Sequence, residues 1–187
     1  MKILRTYLSL LTLTLLPLTF ASCSNNNKNG GGGGGGGGGS STATLCNGGM
    51  VWDLAGVQQS MNSANTGELA VVSVDFTNGI VQIQGNYPDS MGVTHSLVLN
   101  FTGVTAPGPQ MLTPSSVVYT TIDANTATVL ESYLALVPTS FATNFTALDV
   151  TGASFTFDGG AVTGGPIGGA TSTLLIEHGA GDHQTCN

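Results

Sequence analysis

After Lys28 the chain contains no lysine and no arginine. Its three cationic residues, Lys2, Arg5 and Lys28, all precede its ten acidic ones. The segment from Leu45 to Asn187 therefore carries a formal charge of about −10. No carboxylate there can pair with a lysine or arginine of the same segment. Each must be solvated, bonded to N–H or hydroxyl groups, or bound to a cation. Phosphate contacts depend heavily on Lys and Arg, so nucleic-acid binding is not expected. Docking onto anionic headgroups is disfavoured for the same reason. Schiff-base lysines and arginine clamps are absent too. Trypsin-like proteases find no site in this segment.

Long hydrophobic runs are also missing. The longest, Leu8 to Leu18, is about eleven residues and is broken by threonines and Pro17. A stable bilayer span takes roughly 20. With Lys2 and Arg5 before it and Ala21-Ser22 after it, residues 1–22 read as an export signal. Phe20-Ala21-Ser22-Cys23 resembles the bacterial lipobox, with Phe where Leu is usual. The resemblance implies cleavage before Cys23, lipidation of that cysteine and an outer-membrane anchor. The alternative is an ordinary secretory signal cut after Ala21, which leaves Cys23 a stray thiol.

Cysteine is scarce: Cys23, Cys46 and Cys186 are the only three. An odd cysteine in an exported chain needs an explanation, and lipidation of Cys23 supplies one. Cys46 and Cys186 are then expected to pair in an oxidising compartment. Such a link closes a loop of about 140 residues and contributes roughly 5 kcal/mol in the chain-entropy treatment. It requires the two ends of the domain to be neighbours.

Residues 23–44 read as a tether. Ten glycines, Gly30 to Gly39, have no side chains to bury and the most backbone entropy to lose. They form a disordered polyglycine coil, and from Cys23 to Cys46 the r.m.s. reach is on the order of 25 Å. No Gly-Lys-Ser/Thr follows, so these glycines are not a phosphate loop.

Residues 45–187 form one domain, rich in short alternating runs. Val71 to Thr77 and Ile80 to Gln84 alternate on either side of Asn78-Gly79, the signature of a two-residue type I′ hairpin. That turn pairs Phe76 with Val81 and Val74 with Ile83. His95, Leu97, Leu99 and Phe101 share one face of a third strand, with His95 at its rim. Val117 to Ile122 reads as another strand. Ala124 to Val137 reads two ways: a helix with Val129, Leu130, Tyr133, Leu134 and Val137 on one face, or a buried strand with Leu130, Leu134 and Leu136 inward. The β surroundings favour the strand. Asp158-Gly159-Gly160 reads as a turn, Gly164 to Gly169 as a loop, and Thr171 to Ile176 as the last strand. Leu45 to Met61 is undecided between a short helix capped by Asp53 and a strand starting at Met50. Trp52, the only tryptophan, is expected in the core. The prediction is all-β: an antiparallel β-sandwich or partly open barrel of about 7–9 short strands.

The runs Asn78 to Gly85, Leu97 to Val104, Gly108 to Leu112 and Gly152 to Phe157 resemble the small β-sandwich domains of uncharacterised bacterial lipoproteins. The likeness covers roughly half the domain. It implies the same fold and a lipid-anchored setting, and it carries no catalytic residues.

One local cluster bears chemistry. Glu177, His178, Asp182 and His183 lie within a glycine-flexible stretch just before Cys186. Imidazoles with carboxylates suit Zn²⁺ or Cu²⁺. No Gly-x-Ser-x-Gly elbow and no His-Glu-x-x-His occurs, so an enzyme is not expected. The leading expectation is an envelope lipoprotein with a structural or binding role, attached to the membrane through its lipid. The alternative is a metal-binding envelope protein that uses the Glu177–His183 loop.

Overall fold

The period-two alternation read from the sequence organises the whole domain. The structure is a computed structural model that describes residues 42–45 and 48–184. Within them lie twelve strands: β1 Thr42–Leu45, β2 Gly49–Leu54, β3 Val57–Asn62, β4 Leu69–Asp75, β5 Ile80–Pro88, β6 Val93–Thr102, β7 Gln110–Leu112, β8 Ser116–Asp123, β9 Thr128–Leu136, β10 Thr143–Leu148, β11 Gly152–Pro166 and β12 Ser172–Gln184. One 3₁₀ turn, Thr139–Phe141, precedes β10. The export signal, Cys23, Cys46, Cys186 and most of the tether lie outside the described residues. Strand β1 begins at Thr42, inside the 23–44 segment read as tether.

Every strand pairing is antiparallel. The order is β1-β4-β5-β6-β8-β9-β11-β12-β2-β3, with β10 bonded to β11 and β7 to β10. The sheet rolls into a nearly closed barrel. β3 lies beside β4 and β5 without a ladder between them. Across this seam the side chains of Trp52, Met61 and Met50 converge on Gly85 of β5. A Cβ there would stand 2.6, 2.7 and 2.9 Å from them, so glycine makes the closure possible.

Inward residues form rows across the strands. Val72, Ile83, Leu99 and Val117 face one another on β4, β5, β6 and β8, all fully buried. Each contributes about 1.5–3 kcal/mol of burial. A second cluster, Phe101, Phe145 and Phe155, packs at centroid distances of 5.6 and 5.9 Å under β10.

The all-β, antiparallel reading stands, with twelve strands rather than seven to nine. The added strands include β1, β2 and β3, which lie before Leu69 in stretches read as tether or left undecided. Glycine accounts instead for the lengths of β11 and β12. Residues 158–160 are not a turn and 164–166 are not a loop. They belong to the 15-residue β11, and β12 runs past Ile176 to Gln184. Glycines that read as punctuation sit where a side chain has no room. A Cβ on Gly164 would strike the Ser132 carbonyl, and one on Gly159 the Ile176 carbonyl.

The Asn78-Gly79 hairpin shifts register by two residues. Asp75 pairs with Ile80, Val74 with Val81 and Val72 with Ile83. The reason is the Asp75 carboxylate, which accepts from the Asn78 backbone N–H at 3.0 Å and from its side-chain amide at 2.6 Å. This closes a four-residue loop. A two-residue slip preserves the faces, so the apolar side still points inward. Two consecutive positive φ angles, as a type I′ turn requires, occur instead at Ala55 and Gly56, at 50° and 80°, between β2 and β3.

Residues 128–136 are strand, not helix, but Leu130, Leu134 and Leu136 point outward, at 40%, 42% and 62% exposure. Tyr133 sets the phase by facing Tyr119 across the β8–β9 pair.

Candidate functional site

The most connected group of polar side chains lies where β5 turns into β6. Asp89 holds that turn: its Oδ1 accepts from the backbone N–H groups of Met91 and Val93 at 2.8 and 2.9 Å. These bonds, that from Val93 foremost, keep its carboxyl below the usual range. The tight turn sets Tyr87 opposite His95, and their rings stack at 4.6 Å with 2° between planes. The His95 Nε2 lies 3.3 Å from Asp89 Oδ2, and its Nδ1 lies 2.6 Å from the Tyr119 hydroxyl. An ionised carboxylate only accepts. In the neutral imidazole, Nε2–H therefore donates to Asp89, and Nδ1 accepts from the phenol.

The result is a relay from a buried phenol to solvent. Tyr119 is 2% exposed, while the His95 and Asp89 side chains are 18% and 23% exposed. Burial raises the Tyr119 pKa far above its ordinary value, and the neighbouring Tyr87 adds to the rise. Burial raises that of Tyr87 as well. A nucleophile so enclosed meets no substrate, so the arrangement suits proton movement rather than hydrolysis. His95 is at the rim, as its place near the start of the strand indicates, although its phase is that of the core face. Its partners were hidden from the sequence: Asp89 by the turn geometry, Tyr119 by the excursion through β7 that separates β6 from β8.

The four residues read as metal ligands lie on a strand, not a loop, and the strand separates them. The register shift between Glu177 and Ala180 throws His178 outward with φ at 51°. Its side chain is 72% exposed, and its Nδ1 lies 2.9 Å from Asp53 Oδ2. This bond, with the carboxylates of Glu177 and Asp158 nearby, raises its pKa. His183 lies inside, 1% exposed and stacked on Phe155 at 5.6 Å. Among the described residues, neither of its ring nitrogens has a partner. Burial pushes its pKa down to about 4, against a small opposing effect of Asp182. Asp182 faces outward and accepts from the Ser154 hydroxyl at 2.7 Å. Glu177 and His178 thus group with Asp53 and Asp158 rather than with Asp182 and His183. Among the described residues, no three His, Cys, Asp or Glu side chains converge in a way that could hold a metal ion.

The outer face of β10, β11, β12, β2 and β3 carries an open groove of about 510 Å³. Its floor is the pair Ala180 and Val51, and its sides include Ser60, Asn62, Thr146, Ser154, Thr156 and Asp182.

At the start of β2, Gly49 pairs with Asp182 of β12. Gly48 packs so tightly there that a Cβ would strike the Asp182 carbonyl. Ser63 clamps Gly48 from the other side: its hydroxyl accepts from the Gly48 N–H and donates to the Gly48 carbonyl, both at 3.0 Å. Compared with protein-family models, with curated proteins and with solved structures, the chain finds no match.

Proposed function

We propose that this chain is an exported lipoprotein of the bacterial envelope. Cys23 carries the lipid, residues after it are the tether, and the β-barrel is a structural or binding module closed by a Cys46–Cys186 disulfide. The observation that carries the reading is the β2–β12 pairing. It sets Gly49 beside Asp182, with Cys46 three residues before the first and Cys186 four after the second. The pairing thus supports the proximity that the disulfide requires. A disulfide needs Cα atoms about 4.4–6.8 Å apart, and adjacent strands run at about that spacing. An oxidised pair fits an exported protein, and Phe20 to Cys23 supports the anchor. More than one acyl chain on Cys23 gives stable attachment. The groove over Ala180 and Val51 supports the binding half of this reading.

The test is the intact mass of the membrane-extracted protein, before and after reduction with alkylation. The expected mass starts at acylated Cys23, and two cysteines alkylate only after reduction. An unlipidated mass starting at Ser22, with all three thiols free, overturns the reading.

A further inference from the structure

Beyond Tyr7 the chain has three tyrosines and one tryptophan, and all four belong to one run of rings. Trp52 meets Tyr87 at 6.0 Å, Tyr87 meets His95 at 4.6 Å, His95 meets Tyr119 at 6.2 Å, and Tyr119 meets Tyr133 at 6.1 Å. We propose that this run is a path for one-electron oxidising equivalents, and that it ends at Tyr119 because His95 is placed to take the phenolic proton.

The inner end of the run is the most oxidisable part of the core. There Trp52 lies with the sulfurs of Met50 and Met61 over Gly85. Among the described residues, the indole Nε1 has no hydrogen-bond partner. A radical cation formed on Trp52 therefore has no base to take its proton, and the hole stays free to move. Tyr87 bridges Trp52 to His95. Of the three phenols, Tyr119 is the one with a base at hydrogen-bond distance, His95 Nδ1 at 2.6 Å, within the reach that proton transfer requires. Among the described residues, Tyr133 has the Ser172 hydroxyl, at 3.4 Å.

The step balances within these residues. A diffusible one-electron oxidant of the carbonate- or peroxyl-radical class removes an electron from the run and leaves a hole on Trp52. Tyr119 gives one electron to Trp52, restoring the indole, and its O–H proton passes to His95 Nδ1. The products are a neutral Tyr119 phenoxyl radical and an imidazolium, which the Asp89 carboxylate faces through Nε2–H at 3.3 Å. Electron and proton leave together because burial disfavours the phenolate that ionisation alone would leave. The chemistry spares the tryptophan and the two thioethers by moving the damage to a tyrosine whose proton can be returned.

The test is flash photolysis of the purified full chain with a ruthenium tris-bipyridine complex and a sacrificial electron acceptor, read by transient absorption and electron paramagnetic resonance. The wild-type chain is expected to give a tyrosyl radical whose formation slows in D₂O. Tyr119→Phe is expected to abolish the signal. His95→Phe, which keeps the stacking on Tyr87, is expected to slow its formation about 100-fold, the contribution of a positioned base. A tyrosyl signal that persists in Tyr119→Phe, or forms at the wild-type rate in folded His95→Phe, overturns the proposal. So does a wild-type rate equal in H₂O and D₂O, a result that no misfolded variant can mimic.

Discussion

Replacing Gly179 by alanine should destabilise the barrel, although the change adds one methyl group to a strand. The reason is the Phe157 ring. Phe157 faces Gly179 across the β11–β12 pair, and a Cβ at Gly179 would lie inside that ring. Phe157 is 3% exposed, with Phe141 at 5.9 Å, so it cannot swing into solvent. Gly179 does not have a positive φ, so no backbone strain enters. On entropy alone the substitution would gain about 0.4–1 kcal/mol. Overpacking costs about 1–3 kcal/mol, and the clash places this site at the upper end. The melting point should fall by roughly 4–8 °C, at about 2–4 °C per kcal/mol. The assay is urea unfolding followed by Trp52 fluorescence, in a double-mutant cycle with Phe157→Ala. Phe157→Ala alone should cost about 3–5 kcal/mol. In that background the Gly179 methyl enters the vacated space, and its cost should vanish. A cost under about 0.5 kcal/mol in the wild-type chain, or the same cost in both backgrounds, refutes the idea that Gly179 is the seat of the Phe157 ring.

Two further outcomes are expected. His183, neutral in the fold with its pKa pushed down to about 4, binds a proton more readily when unfolded. Stability should therefore be full above pH 6.5 and fall by about 3 kcal/mol as pH drops toward 4. His183→Leu should flatten that slope. The comparison belongs in a His178→Ala background, because the raised pKa of His178 acts with the opposite sign: its contribution is present at low pH and lost as pH rises. An unchanged slope in His183→Leu disproves the assignment. Second, trypsin should leave residues 29–187 uncut even in urea, since no Lys or Arg follows Lys28, whereas chymotrypsin should digest the unfolded domain. Tryptic fragments from within the barrel would contradict this.

Much of the fold was legible where one side chain after another chose a face. β4, β5 and β6 could be traced from Val72, Ile83 and Leu99 because period-two alternation survives any even slip of register. The slip itself was not legible. It depends on the Asp75 carboxylate reaching Asn78, a contact that no propensity encodes. The Ala55-Gly56 turn was missed because an alanine at positive φ is a local cost that the rest of the sheet overrides. β11 and β12 were cut short because glycine usually interrupts a strand. Here Gly179 and Gly181 make room for the rings of Phe157 and Phe155. The site was legible only as isolated residues. His95 could be placed at a rim, but Tyr119 lies on a strand that reaches β6 only after the chain has travelled out to β7. His178 and His183 looked like a pair by spacing. A register shift and opposite faces of one strand part them.

The neighbourly ends of the barrel have a consequence for how the domain can be used as a part. Gly49 and Asp182 stand side by side on paired strands, so the part from β2 to β12, without the edge strand β1, begins and ends one inter-strand spacing apart, roughly 5 Å. A host chain that opened a surface turn by that much could accept this part as a plug-in, with no detour of its own backbone. A part that begins and ends at one point asks of its carrier only two adjacent chain ends.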